Sequence, residues 1–289
     1  MKRFLRDTFS TLSYQALRLT NGHQRGVRML TYHRVTDAHP ADRLCVPMAR
    51  FREQMAYLKR EGYQTVAVAQ IARWVKGEAT LPARAVAITF DDGFADNFLN
   101  AYPALARHGF RACFFVPTAF IESGQPTRQP AEDRPMSWGQ LAELLRDHQE
   151  VGAHSVTHRK LAMLTEDEAR EEVRYSKDVL EQQLKRPVTL FCYPAGSYNA
   201  AVKQAVQDCG YVGACSVEPG ANHRGTDPYV LKRTEISAFD SLWDFEKKLA
   251  GAYDWLHGLV RGAKRFSRQR ECANAIVRSQ DERKVKSQK

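Results

Sequence analysis

From residue 27 onward, short apolar runs alternate with segments whose apolar residues fall at helical spacing. VRMLTYHRV (27–35) predicts a strand, and MARFREQMAYLKREGY (48–63) puts Met48, Phe51, Met55 and Leu58 on one helical face. AVAITF (85–90) predicts the next strand, ADNFLNAYPALARHG (95–109) a helix closed by Gly109, and RACFFVPT (111–118) an apolar strand of the buried, parallel kind. SWGQLAELLRDH then reads as helix and EVGAHS as strand. TEDEAREEVRYSKDVLEQQL reads as a long charged helix capped by Thr165. PVTLFCYP (strand), NAAVKQAVQDCG (helix) and YVGACS (strand) continue the alternation, and a last helix contains LWDFEKKLAGAYDWLHGLV (242–260).

Repeated strand–helix alternation predicts an α/β chain with parallel strands and helices outside them, either a barrel or a doubly wound sheet; the order of elements alone does not choose between these. One polar, proline-rich insertion, IESGQPTRQPAEDRPM (121–136), has the composition of a loop that rims a site.

At 289 residues the chain can bury a large core, and its longest apolar runs, such as ACFFVP (112–117), fall far short of the roughly 20 residues that span a bilayer. The first residues are basic but lack the apolar core of an export signal, and the six scattered cysteines form no CxxC pair. Together these predict a cytoplasmic protein with reduced thiols. The formal charge of +10 sits at the ends: six Lys/Arg to one acid in residues 1–30, and ten to three in residues 261–289. The expected organisation is a basic N-terminal helix (1–26), a catalytic domain (27–260) and a basic C-terminal tail (261–289). The ends are suited to peripheral contact with an anionic membrane at its inner face or to a solvated role. Lacking interleaved aromatics, they do not predict nucleic-acid binding. The spacing of Phe4, Leu5, Phe9, Leu12 and Leu17 fits a helix packed on the body or lying on a membrane.

Chemistry-bearing residues cluster at predicted strand ends. Asp91 and Asp92 follow AVAITF, His154 and His158 (HSVTH) follow EVGA, Tyr193, Pro194 and Gly196 follow TLFC, and His33 ends MLTYH. In parallel sheets and barrels the carboxyl ends of strands share one face, so these residues can meet. An HxxxH pair with one carboxylate is the ligand set of a hydrolytic divalent-metal site. Adjacent acids point in different directions, so one can bind metal while the other works beside it as a base.

TFDDG (89–93), HSVTH (154–158) and FCYPAG (191–196), in that order, resemble the successive motifs of the polysaccharide deacetylase family, the NodB-homology or carbohydrate esterase family 4 domain. The resemblance runs from about residue 27 to 237 and is similar in detail to its exopolysaccharide, poly-N-acetylglucosamine branch. It implies a distorted (β/α) barrel and a metal-dependent N-deacetylase acting on an N-acetylated glycan. Asp91 would be the catalytic base, and Asp92, His154 and His158 the ligands of zinc or a similar divalent ion. Tyr193, Pro194 and Ala195 would form the acetyl groove, with the Ala195 N–H on the oxyanion.

The chain departs from the common family pattern twice. Cys192 stands where an arginine usually orients the base, and Arg233 in VLKRTEIS resembles the arginine that the exopolysaccharide branch supplies from a later strand. WLH (255–257) does not fit the late LxH motif, so His33 is the expected general acid. Alternatives are a C–N hydrolase acting on a small-molecule amide and a non-catalytic glycan-binding module.

Overall fold

The computed structural model describes residues 10, 11, 13–15, 26–122 and 130–254. The terminal segments expected as basic helix and basic tail therefore lie largely outside the described residues, as do Phe4, Leu5, Phe9, Leu12 and Leu17. Among the described residues no helix is long and apolar enough to cross a membrane.

Every strand pairing in the main sheet is parallel. In chain order the elements are β1 (Arg28–Tyr32), β2 (Arg34–Val35), β3 (Cys45–Val46), α1 (Met48–Arg60), β4 (Gln64–Thr65), α2 (Val68–Lys76), β5 (Ala85–Phe90), α3 (Tyr102–Ala106), β6 (Cys113–Val116) and α4 (Thr118–Glu122). Then come α5 (Trp138–Arg146), β7 (Glu150–Ala153), α6 (Glu166–Leu184), β8 (Leu190–Cys192), α7 (Ala200–Asp208), β9 (Gly213–Cys215), β10 (Thr234–Glu235) and α8 (Leu242–Ala250). Across the sheet the order is β10-β1-β5-β6-β7-β8-β9, with β4 pairing beside the start of β5.

That order settles the question left open by the alternation. A doubly wound sheet reverses direction at a switch point, whereas from β1 to β9 these strands follow one another without reversal. Closure comes from the segment leading into β10: Leu231 bridges to Cys215 of β9, Ser216 N–H donates to Leu231 O at 2.9 Å, and Thr234 then aligns with Leu30 of β1. The fold is a distorted (β/α) barrel.

Side-chain alternation divides the strands into two faces. Leu30, Tyr32, Ile88, Phe90, Phe114, Val116, Phe191 and Tyr193 join the core shared with the helices, where Phe51, Leu105, Leu144, Val173, Val206 and Phe245 meet them. Phe90 and Phe114 stack there with centroids 4.9 Å apart. Each such buried ring or aliphatic chain contributes about 1.5–3 kcal/mol. The opposite face holds Met29, Ala87, Cys113, Phe115, Leu190, Cys192 and Cys215 and is closed by Val68, Ile71, Ala72 and Val75 of α2. Helix α2 plugs the N-terminal end of the barrel, its first N–H groups at Val68 and Ala69 donating to the Glu150 carboxylate at 2.6 and 3.1 Å.

Three elements differ from their sequence expectation. VRMLTYHRV is not one strand: β1 stops at Tyr32, and β2 leaves the barrel to pair with β3 in a separate two-stranded sheet. The break is held by Asp96 Oδ1, which accepts from Val35 N–H at 2.9 Å, and by the Asn97 amide, which donates to His33 O at 2.8 Å. ADNFLNAYPALARHG opens with a wide π-turn over Asn97–Ala101 before α3, because Pro103 has no N–H to continue a regular ladder backward. The helix expected over 242–260 is interrupted: α8 ends at Ala250, capped by Gly251 in the left-handed conformation (φ 83°), and residues 255–260 lie outside the described residues. By contrast, Thr165 caps α6 as expected, in a reciprocal capping box with Glu168.

Candidate active site

Period-two geometry explains why the two adjacent aspartates do different things. Asp91 continues the inward series of Ala87 and Thr89 and is 3 % exposed. Both its oxygens accept from the Arg233 guanidinium, Nη1 to Oδ1 at 2.7 Å and Nη2 to Oδ2 at 2.7 Å. Burial alone pushes this carboxyl up, but the charge and hydrogen bonds of Arg233, with the imidazoles of His154 and His33, hold it below the usual range. Asp91 is therefore ionised at neutral pH.

Asp92 turns out of the strand. Its φ of 70° and that of Gly93 (68°) place both in the left-handed region, so the chain bends sharply and the carboxylate swings to the barrel mouth. A Cβ at Gly93 would stand 2.9 Å from Val116 Cγ1, a second reason for glycine there. Asp92 Oδ1 lies 3.1 Å from His158 Nε2 and 3.6 Å from His154 Nε2. Burial raises this carboxyl too, but its two imidazole partners outweigh that and hold it far below the carboxylate range.

The two Nε2 atoms lie 3.2 Å apart. His154 Nδ1 donates to Cys192 O at 2.7 Å, which turns its Nε2 toward the cluster. Two imidazole nitrogens and one carboxylate oxygen thus converge with all three ligand atoms within 4.8 Å of one another. The two-histidine, one-carboxylate set is one that suits zinc. The residues present fit a divalent ion.

Arg233 reaches Asp91 because the barrel closes. It is 2 % exposed, which sets aside a surface ion pair, and its Nε donates to Ser216 O at 2.9 Å while Nη1 also reaches Thr89 Oγ1 at 3.2 Å. Its Nη2 lies 3.0 Å from Cys192 Sγ, so the small side chain at 192 leaves the guanidinium its path across the barrel. Burial pushes the Cys192 thiol well up, as befits a buried strand residue and not a nucleophile.

His33 stands at the β1 break, close enough for its charge to bear on both Asp91 and Asp92. Its Nδ1 is buried with no hydrogen-bond partner among the described residues. The three groove residues separate. Ala195 is exposed, in the left-handed conformation (φ 51°), and its N–H has no acceptor among the described residues. Pro194 is buried beneath it. Tyr193 corrects the expectation of a groove-lining side chain: it is fully buried, stacks on Tyr198 at 4.9 Å and donates its hydroxyl to Tyr229 O at 3.1 Å. The reason is the strand period, which turns residue 193 to the helix side when Cys192 faces inward.

The insertion does rim the mouth: Met136 N–H donates to Gly93 O at 2.8 Å and Ala95 N–H to Arg134 O at 2.7 Å, while residues 123–129 lie outside the described residues. Its near end is tied down by Arg34, which binds Asp96 at 2.7 Å and Asp133 at 2.5 Å. Sequence reasoning passed over Thr89 and Glu172, which accepts from the loop between the two histidines. Inward periodicity could have singled out Thr89; nothing local marks Glu172, which lies on a helix of many acids.

Residues 78–214 match the family model for polysaccharide deacetylase. The chain is 28 % identical over 209 residues to the Bacillus subtilis protein YxkH, whose name places it among polysaccharide deacetylases, covering 72 % of this chain and 71 % of that one. A shorter stretch of 81 residues, 28 % of this chain and 12 % of the relative, is 37 % identical to poly-β-1,6-N-acetyl-D-glucosamine N-deacetylase of Escherichia coli K12. In fold the chain is similar to the Streptococcus pyogenes deacetylase PplD (TM-score 0.71, 24 % identity, 78 % of this chain and 98 % of that one). It is also similar to IcaB from Ammonifex degensii (TM-score 0.67, 23 % identity, 78 % and 97 %). The three motifs thus lie on one barrel face, residues 78–214 match the polysaccharide deacetylase model, and the fold over about three quarters of the chain is similar to that of solved deacetylases.

Proposed function

We propose that this chain is a divalent-metal-dependent N-deacetylase whose substrate is a polymer of N-acetylated sugars. The observation that carries the reading is the convergence of Asp92 Oδ1, His154 Nε2 and His158 Nε2 beside the Asp91–Arg233 pair. The likeness to the Escherichia coli enzyme makes a β-1,6-linked N-acetylglucosamine chain the first substrate to try.

A divalent ion, most simply zinc, held by those three ligands would supply Lewis acidity, polarising an amide carbonyl and acidifying water at the barrel mouth. Asp91, ionised and fixed in orientation by the Arg233 fork, takes the proton from the attacking water. The exposed Ala195 N–H donates to the oxyanion as the carbonyl carbon becomes tetrahedral. His33 gives a proton to the departing sugar nitrogen, which leaves poorly without one. Acetate and a glucosamine unit result.

The test is acetate release from N-acetylglucosamine oligomers by the zinc-loaded protein. Asp91→Asn is expected to abolish release while keeping the metal, and Asp92→Asn to lose both. Equal release by wild type and Asp91→Asn would refute the assignment of the base.

A further inference from the structure

Both histidine ligands hang from one five-residue loop, and its conformation is not one the chain adopts unaided. Ser155 (φ 61°) and His158 (φ 60°) are in the left-handed region, which costs a non-glycine residue on the order of 1 kcal/mol. Between them, Val156 and Thr157 turn their N–H groups away from the sheet. The Glu172 carboxylate, in the second turn of α6, receives both: Oε2 accepts from Val156 N–H at 2.8 Å and from Thr157 N–H at 2.9 Å, and Oε1 accepts from the Thr157 hydroxyl.

Glu172 is 5 % exposed, and Arg159 at 3.5 Å supplies a counter-charge. Ser155 Oγ accepts from His158 N–H at 3.0 Å, closing the loop on itself. On the other side, Thr118 and Ala119 N–H donate to Ser155 O and Val156 O at 3.2 and 3.0 Å. The loop is thus pinned between α4 and α6, and on the α6 side the Glu172 carboxylate collects three of its donors.

We propose that Glu172 is a positioning residue that sets the metal affinity of the site by fixing the backbone from which His154 and His158 project. This rests on the reading that Asp92, His154 and His158 hold a divalent ion. Without the carboxylate, the part-buried N–H groups of Val156 and Thr157 lose their acceptor and the left-handed turn loses its support. The imidazoles must then be ordered by the metal itself, and outer partners of ligands in such sites are worth 10- to 100-fold in affinity.

The experiment is an equilibrium competition for cobalt(II) between the metal-stripped full-length protein and a chromophoric chelator, with the cobalt absorption spectrum recorded. Glu172→Ala is expected to bind cobalt roughly 10- to 100-fold more weakly. Glu172→Gln keeps an oxygen for the two N–H groups and should come within about fivefold of wild type. Val173→Ala, in the core of the same helix, should lower thermal stability without moving the affinity. Unchanged affinity in Glu172→Ala, or an equal loss in Val173→Ala, overturns the proposal. Should the alanine variant not fold, Thr157→Val withdraws one of the three bonds and should weaken cobalt about threefold; no change there also overturns it. A wild-type protein that binds no cobalt would overturn the metal-site reading itself, a separate result from a wild type that binds and variants that match it.

Discussion

Arg233 and Asp91 lie 142 positions apart, yet they form a bidentate pair at 2.7 Å on both arms inside the barrel. Removing one partner of such a buried pair leaves an uncompensated charge and costs about 3–5 kcal/mol. Arg233→Met should therefore lower the unfolding free energy by that order. It should also shift the acid limb of the pH–rate profile upward: burial already raises Asp91, and the cation that outweighs burial is gone. Acetate release measured across pH, with a denaturant titration beside it, checks both. A limb that stayed in place would mean that Asp91 is not the titrating base.

Cys192 touches Asp91, with Sγ 3.7 and 3.8 Å from its oxygens, yet burial raises its thiol well above the ordinary value. Cys192→Ala should keep activity within about tenfold, and the native enzyme should survive iodoacetamide, because a buried protonated thiol is a poor nucleophile. Rapid inactivation that the substitution prevents would contradict this.

His33→Gln should lower kcat about 100- to 10,000-fold, the range for loss of a general acid, while zinc content by elemental analysis stays at the wild-type level. Loss of the metal together with the activity would instead make His33 part of the metal site.

Asp244 caps α8 in a box with Ser241 and also meets Lys247 at 3.2 Å and Tyr253 at 3.1 Å. Burial raises its carboxyl, but these hydrogen bonds outweigh it and bring it down to about 2. A carboxyl depressed on folding adds stability that is present above its unfolded value, near 3.9, and lost as pH falls through the folded value. Asp244→Asn should cost about 1 kcal/mol at neutral pH, allowing for solvent screening at this part-exposed position, and the difference from wild type should vanish between about pH 4 and pH 2. Urea midpoints at several pH values give the answer.

Gly152 lies against the Phe115 ring, where an added Cβ would stand 2.5 Å from two ring carbons and 3.1 Å from Leu190 O. Gly152→Ala should destabilise by about 1–3 kcal/mol through overpacking, read as a lower denaturant midpoint. An unchanged midpoint would show that the ring can yield.

The alternation of apolar runs and helical faces was sufficient to predict parallel strands with helices outside them, because burial imposes period 2 on strands and 3.6 on helices wherever they occur. The same local pattern put Asp91, Asp92, His154 and His158 at strand ends, which parallel pairing gathers on one face. Tyr193 shows the limit: quoting FCYPAG as a unit hides that neighbouring residues face opposite sides, so Cys192 looks inward and Tyr193 supports the helix layer.

What the amino-acid sequence determined by itself, then, is the set of elements and the motif residues that terminate them, since both depend on neighbours within a few positions. Only the tertiary structure decided that the sheet closes into a barrel, that closure carries Arg233 onto Asp91, and that Glu172 holds the histidine loop. These depend on which distant side chains the closed barrel brings within about 3 Å, and no periodicity along the chain encodes that distance.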